Sequence, residues 1–241
     1  MRFIFLLFSA NLFMIASTAQ TNACKLEIHH LTGDFYIYTT YHILSGEPFP
    51  ANSMYLLTSK GAVLFDTPWD STCFQPLLDS IRIRHHQKAV LCISGHFHAD
   101  RTAGLGYYAS KGIKTYTSLR TDSLSIVNNE PRAQYHFSKD TSFCIGQHCF
   151  STFYPGEGHT KDNIVVWFEK EKILYGGCFV KSASNDDIGF IGDANLAAWP
   201  SSVEKVISKF PNPVYVIPGH FSWESNKSLE HTLLVIKKQH S

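Results

Sequence analysis

The sequence predicts an α+β protein, a four-layer αββα sandwich of two similar halves with a site at the seam between them. Three observations carry this. Twice along the chain, hairpin strands come first and amphipathic helices follow. Histidine, aspartate and cysteine residues stand beside glycines near the ends of apolar runs in both halves, and a seam is where they can meet. Finally, 241 residues, 44% of them apolar or aromatic, suffice for one sizeable core shared by two halves.

The first residues stand outside that plan. Arg2 gives a basic start, Phe3 to Ile15 an apolar core, and Ser17-Thr18-Ala19 a small-residue cleavage site before Gln20. This is the pattern of a cleaved signal peptide over residues 1–19, leaving one domain over 20–241 with halves at about 20–130 and 131–241. The mature chain is then exported, with the periplasm as the expected compartment. The apolar segment is too short for a lasting membrane helix, and nothing later spans a bilayer. Lipidation at Cys24 is a rival, but Thr21-Asn22-Ala23 lacks the large aliphatic residue of a bacterial lipobox. A net charge of +1 without a basic block gives nucleic acid no electrostatic footing. A monomer acting on a small molecule is expected.

Taken in order, Lys25 to Thr40 alternates and predicts two antiparallel strands. His42 to Ala51, with Gly46-Glu47-Pro48-Phe49-Pro50, reads as a loop; Phe49 either closes over a ligand or belongs to an ordinary connection. Ser53 to Leu57 and Gly61 to Asp66 resume the sheet. Phe74, Leu77, Leu78 and Ile81 repeat at helical spacing, with Ser71 or Thr72 as cap. Lys88 to Ser94 is a buried strand, Thr102 to Lys111 a helix, Gly112 to Thr117 a strand and Leu119 to Asn129 a helix. The polar stretch Asn129 to Thr141 is the joint. Strands follow over 143–146, 149–154, 163–168 and 173–175, then a helix over 196–209, a strand over 214–217 and a helix over 228–238.

Six cysteines are too sparse for a disulfide scaffold, and a core of this size needs none. Cys92 reads as a buried small hydrophobe. Cys144 and Cys149 flank a hairpin turn and would face each other, so a cross-strand bond between them is open. His85, His86 and His240 read as solvated, and His136 and His148 have no partners at ligand spacing.

The chemistry-bearing stretch is Gly95-His96-Phe97-His98-Ala99-Asp100-Arg101, in a strand-to-helix loop of the kind where open α/β sheets place their sites. Gly158-His159-Thr160, Gly177-Cys178 and Gly219-His220 add three more candidate ligands beside glycines. Six ligands, His96, His98, Asp100, His159, Cys178 and His220, fit two adjacent zinc ions with three protein ligands each. Asp66, at a strand end, is either an acceptor orienting the histidine loop or a turn-former before Pro68.

With these residues in view, the sequence resembles the metallo-β-lactamases of subclass B1. The resemblance covers essentially all of the mature chain. It rests on Asp66-Thr67-Pro68-Trp69, His96-x-His98-x-Asp100, Tyr154-Pro155-Gly156-x-Gly158-His159-Thr160, Gly176-Gly177-Cys178-x-x-Lys181, Asp193-Ala194-Asn195 and Pro218-Gly219-His220, in that order. It implies that His96, His98 and His159 hold one zinc ion and Asp100, Cys178 and His220 a second. Related hydrolases commonly carry a second histidine directly after the aspartate; Arg101 stands there, and with Cys178 this favours the lactamase branch. Cys178 should then be a thiolate ligand.

The resemblance further implies a zinc-dependent hydrolase that opens the β-lactam amide of penicillins, cephalosporins and carbapenems and confers antibiotic resistance. A water bound to zinc falls from a pKa of about 15.7 to near 7 and attacks as hydroxide. Asp100 ligates and orients that nucleophile, Asn195 donates to the developing oxyanion, and Lys181 meets the substrate carboxylate. Lys181 as a surface charge and Asn195 as a helix cap are the bland alternatives. Another hydrolase of the superfamily, or an exported zinc-binding protein without turnover, are the competing readings of the whole.

Overall fold

The computed structural model describes residues 23–239. The expected signal segment and His240 lie outside these residues. Two sheets account for the strands. The first takes its strands in sequence order: β1 (Leu26–Thr32), β2 (Phe35–Leu44), β3 (Glu47–Thr58), β4 (Gly61–Phe65), β5 (Ala89–Ile93), β6 (Lys114–Ser118) and β7 (Tyr135–Phe137). Pairing is antiparallel from β1 to β4 and parallel from β4 to β7. Parallel neighbours need crossovers. These contain α1 (Phe74–His85), the short α2 (Ala99–Thr102) and α3 (Leu105–Ser110), and α4 (Leu119–Asn128).

The second sheet holds β8 (Ser142–Ile145), β9 (His148–Phe153), β10 (Val165–Phe168), β11 (Ile173–Gly177) and β12 (Tyr215–Pro218), in the order β12-β11-β10-β9-β8. Helix α5 (Trp199–Lys209) joins β11 to β12 and α6 (Ser228–Gln239) follows. Side-chain alternation sorts residues into layers. On β4, Val63 and Phe65 enter the core between the sheets, while Ala62 and Leu64 join Leu77, Ile81 and Leu105 beneath the helices. A third core packs Trp199, Val203 and Val206 of α5 and Ile236 of α6 on the second sheet. The αββα sandwich is thus observed.

Aromatic rings cement the two sheets. Phe35 and Phe168 meet edge-to-face at 4.9 Å, and Phe65 meets Phe150 and Phe168 at 5.1 and 5.3 Å. Such pairs contribute roughly 0.5–1.5 kcal/mol each beyond the area they bury.

Several elements differ from expectation. His42 to Ala51 is no loop: β2 and β3 stay paired from Thr40↔Ala51 out to Leu44↔Glu47. The prolines are tolerated because N–H groups at even positions of β3 face away from β2, as the bond from Asn52 N to Gly219 O (2.8 Å) shows. Neither Ser71 nor Thr72 caps α1, whose N-cap is Cys73 with no side-chain bond; Asp70 instead caps the short 3-10 turn Ser71–Cys73 that leads into it, accepting from Thr72 N at 2.9 Å. The helix expected over 102–111 breaks between Thr102 and Leu105. The polar joint carries β7, whose Tyr135 pairs with Tyr116, so the first sheet runs on to Phe137.

Two disulfides form, Cys24–Cys73 and Cys144–Cys149. The second joins directly paired residues of β8 and β9. The first is a correction to the expectation that the chain needs none, and it leaves Cys24 no thiol for a lipid. Cys92 and Cys178 are free and buried. His85 is not merely solvated: its Nε2 lies 2.8 Å from Tyr55 Oη.

Candidate metal centre and active site

The parallel strands β4 and β5 end side by side, and their ends build the histidine loop. Asp66, just past β4 and in the left-handed region at φ 65°, accepts from Gly95 N at 2.6 Å and from Tyr175 Oη. Burial pushes its carboxyl up to about 6 against the pull of Arg101, so near neutral pH it remains an anion tethering the loop. His96 and His98 follow, and Asp100 lies in the first turn of α2.

The other three candidate ligands arrive on loops of the second half. Asn163 pins the His159 loop, its Oδ1 accepting from Thr160 N and its Nδ2 donating to Gly156 O, both at 3.0 Å. Cys178 follows β11 and His220 follows β12. Gly219 N donates to Gly177 O at 2.8 Å, which locks the two strand ends together. Position 219 admits only glycine: a Cβ there would stand 2.7 Å from Cys178 Sγ and 2.8 Å from an Arg101 nitrogen.

All six expected ligands come together as two adjoining triads. In the first, His96 Nε2 lies 3.2 Å from His98 Nδ1, and the ligand atoms of His96, His98 and His159 lie within 4.8 Å of one another. In the second, Asp100 Oδ2, Cys178 Sγ and His220 Nε2 form a triangle with sides of 3.2, 3.2 and 3.3 Å. Neighbouring ligands around a tetrahedral ion with bonds of about 2.0–2.3 Å stand roughly 3.3–3.7 Å apart, close to the sides of the second triad, and the first gathers three nitrogens within reach of one ion. The triads meet at His96 Nε2 and Asp100 Oδ1, 3.8 Å apart.

Ring orientation supports the same fit. His98 presents Nδ1 to its triad because Nε2 is held by Asp193 Oδ2 at 2.9 Å. His220 presents Nε2 because Nδ1 donates to Pro50 O at 2.7 Å. Burial holds the His96 and His159 imidazoles well below their ordinary pKa, leaving neutral rings with lone pairs free for a metal. Asp100 is an anion: burial raises its pKa, but the Arg101 guanidinium and His220 bring it well below the usual range. Burial pushes the Cys178 thiol up, and in this arrangement Sγ faces Asp100.

Arg101 organises the second triad from behind. Fully buried, it donates to Asp100 Oδ2 (3.0 Å), Cys178 Sγ (3.0 Å), Asn52 O (2.6 Å) and Gly219 O (2.8 Å). In front, the triads open into a cleft of about 610 Å³ whose walls include Phe49, Trp69, Phe190 and Phe221. Lys181 lines it too, with Nζ 5.2 Å from the Trp199 ring centroid.

Comparison with known proteins decides the family. Residues 46–220 match the model of the metallo-beta-lactamase superfamily. A metallo-beta-lactamase type 2 of Elizabethkingia meningoseptica is 44% identical over 89% of this chain and 86% of its own length. Metallo-beta-lactamase IND-1 of Chryseobacterium indologenes is 38% identical over 87% of each. Among solved structures, IND-7 superposes with a TM-score of 0.85 at 38% identity, covering 88% of this chain and 98% of its own. A metallo-beta-lactamase from Pontibacter korlensis gives 0.86 at 32% identity, covering 89% and 100%.

The chain belongs to the metallo-beta-lactamase superfamily. The family and the enzyme class expected from its motifs therefore stand, and the metal-ligating character of its triads agrees with that family.

Within this metallo-beta-lactamase, one expected site residue is placed elsewhere. Asn195 does not line the cleft. Its Nδ2 donates to Glu157 Oε2 at 2.6 Å and its Oδ1 accepts from Ala198 N at 3.0 Å, so the amide closes the turn into α5. Phe49 is not at a loop tip. It lies on β3, 4.9 Å from the His220 ring and 5.2 Å from Phe221. Asp193 as the acceptor behind His98, Arg101 as the bridge of the second triad and Phe190 on the cleft wall were not assigned from sequence. A signal existed for Phe190: Gly189-Phe190-Ile191-Gly192 sets two large apolar residues between glycines, with no strand or helix to bury them.

Proposed function

We propose that this chain is a dizinc β-lactamase that hydrolyses the amide bond of penicillins, cephalosporins and carbapenems, and so confers antibiotic resistance. The observation that carries the reading is the pair of adjoining three-ligand triads at the floor of an open cleft; a purely structural zinc would be closed by four protein ligands. Two zinc ions held there would supply a deprotonated water near neutral pH and positive charge for the carbonyl oxygen and the leaving nitrogen.

The chain's own residues do the rest. His96, His98 and His159 hold the first ion, and Asp100, Cys178 and His220 the second. Asp100 has a second carboxylate oxygen, Oδ1, directed toward His96, and this orients the attacking water between the triads. Lys181 takes the substrate carboxylate as a point charge; burial lowers its pKa, and the nearby Cys178 and Asp100 favour the ammonium. Asn195, the expected oxyanion donor, would have to exchange its present bonds to Glu157 and Ala198 N to reach that oxygen.

Two disulfides favour export to an oxidising compartment, the periplasm, and among the described residues no helix is long and apolar enough to cross a membrane. The test is a carbapenem hydrolysis assay on the purified mature chain, with zinc counted per chain. Hydrolysis abolished by a chelator and restored by zinc is expected. No turnover at two zinc ions per chain would move the protein to another hydrolase of the superfamily.

A further inference from the structure

We infer that Phe190 is a specificity-determining residue whose ring receives the substituent on the carbon next to the lactam carbonyl and favours lactams in which that substituent is aromatic. The inference rests on the lactam-hydrolysing reading above. Phe190 is 64% exposed, yet its ring has a seat. It lies over Gly192, where an added Cβ would stand 2.5 Å from the ring's Cζ. It also stands edge-on to His98, with centroids 5.8 Å apart at 66°.

The segment that carries it is pinned along its length. Gly189 N donates to Asp187 Oδ1 at 2.8 Å, Ala194 N donates to Ile191 O at 3.1 Å, and His231 Nε2 lies 3.0 Å from Asn185 O. A large ring is thereby held open on a cleft wall. Preorganised apolar surface of this kind loses little entropy when a ligand covers it.

Substrate chemistry decides which group meets it. In a β-lactam the carboxylate is borne by the carbon on the nitrogen side, and the variable substituent by the carbon on the far side of the carbonyl. Lys181 follows Cys178 of the second triad, and Phe190 stands against His98 of the first. A lactam with its carboxylate at Lys181 and its reacting bond across the triads therefore directs the variable substituent toward Phe190. An aromatic substituent gains an offset or edge-to-face contact there that a methyl group cannot make.

The test compares two penicillins that differ only by the ring, one phenylacetamido and one acetamido, hydrolysed by the zinc-loaded wild type and by Phe190→Ala. For the phenylacetamido compound KM is expected to rise roughly three- to tenfold with kcat within about twofold, the mark of lost uniform binding. The acetamido compound should be unchanged. Phe190→Leu should fall between, and Gly192→Ala, which displaces the ring without deleting it, should shift the phenylacetamido compound in the same direction. Equal shifts for both compounds would make Phe190 a prop for its loop and overturn the inference, as would no shift in an enzyme that hydrolyses both. A wild type that hydrolyses neither overturns this inference together with the function beneath it.

Discussion

The two triads are built from different chemistry, and the difference shows how each is assembled. The first is three imidazoles, two of which, His96 and His159, burial keeps neutral, and no buried charge is needed to collect them. The second gathers a buried carboxylate and a buried thiol, and a guanidinium is threaded among them. Packing suffices to preform a neutral site; a charged one must be neutralised before any metal arrives.

The largest effect that would break this comparison is at Arg101. Removing it leaves Asp100 and Asp66 without their buried cation, and Arg101→Ala is expected to destabilise the metal-free chain by about 3–5 kcal/mol. Arg101→Lys should recover only part of that, because a point charge cannot span Asp100, Cys178 and two carbonyls at once. Urea unfolding in chelator measures both. A loss under about 1 kcal/mol in Arg101→Ala would show that the second triad is also held by packing alone.

A smaller effect sharpens the comparison from the other side. Asp193 touches only the first triad, through His98, and is partly exposed. Asp193→Ala is expected to weaken metal binding at the three histidines by roughly 10–100-fold while leaving the second triad intact. Cobalt substitution separates the two, since only the second triad holds a thiolate and gives a sulfur-to-metal absorption band. Equal weakening at both would mean that the triads bind as one unit.

The same contrast explains what the sequence could reveal. The six candidate ligands are legible because each stands beside a glycine or in the tight turn after an apolar run, so local pattern alone picks them out. Arg101 was visible as a residue but not as a bridge, because its role depends on Gly219, 118 positions away across the seam. Asn195 shows the opposite difficulty: asparagine is both a donor for catalysis and a favoured turn-closing residue, and its bond to Glu157 is a tertiary contact that no local pattern announces. The tip of the β2–β3 hairpin, His42 to Ala51, reads as a loop because its prolines break the strand pattern, and which edge their nitrogens face is a tertiary fact. Cys24–Cys73 likewise joins residues 49 apart that no spacing rule pairs.

The smallest effect tests whether burial, and not ion pairing as such, makes the second triad costly to disturb. His148 Nε2 lies 2.8 Å from Asp34 Oδ2 and its Nδ1 lies 3.4 Å from Glu171 Oε1, so this histidine ties the turn between β1 and β2 to the second sheet. The hydrogen bond to His148 lowers the Asp34 pKa below its ordinary 3.8. A carboxyl depressed in the folded state adds stability above its unfolded pKa and loses it as pH falls through the folded value. Because Asp34 is half exposed, solvent screens the pair, and Asp34→Asn should cost no more than about 1 kcal/mol near neutral pH. Urea unfolding of wild type and variant should therefore differ slightly near pH 7 and converge once the pH is well below 3.8. A loss at Asp34 as large as that at Arg101 would mean that surface charge pairs hold this sandwich together, and the distinction drawn between the triads would rest on pairing instead of burial.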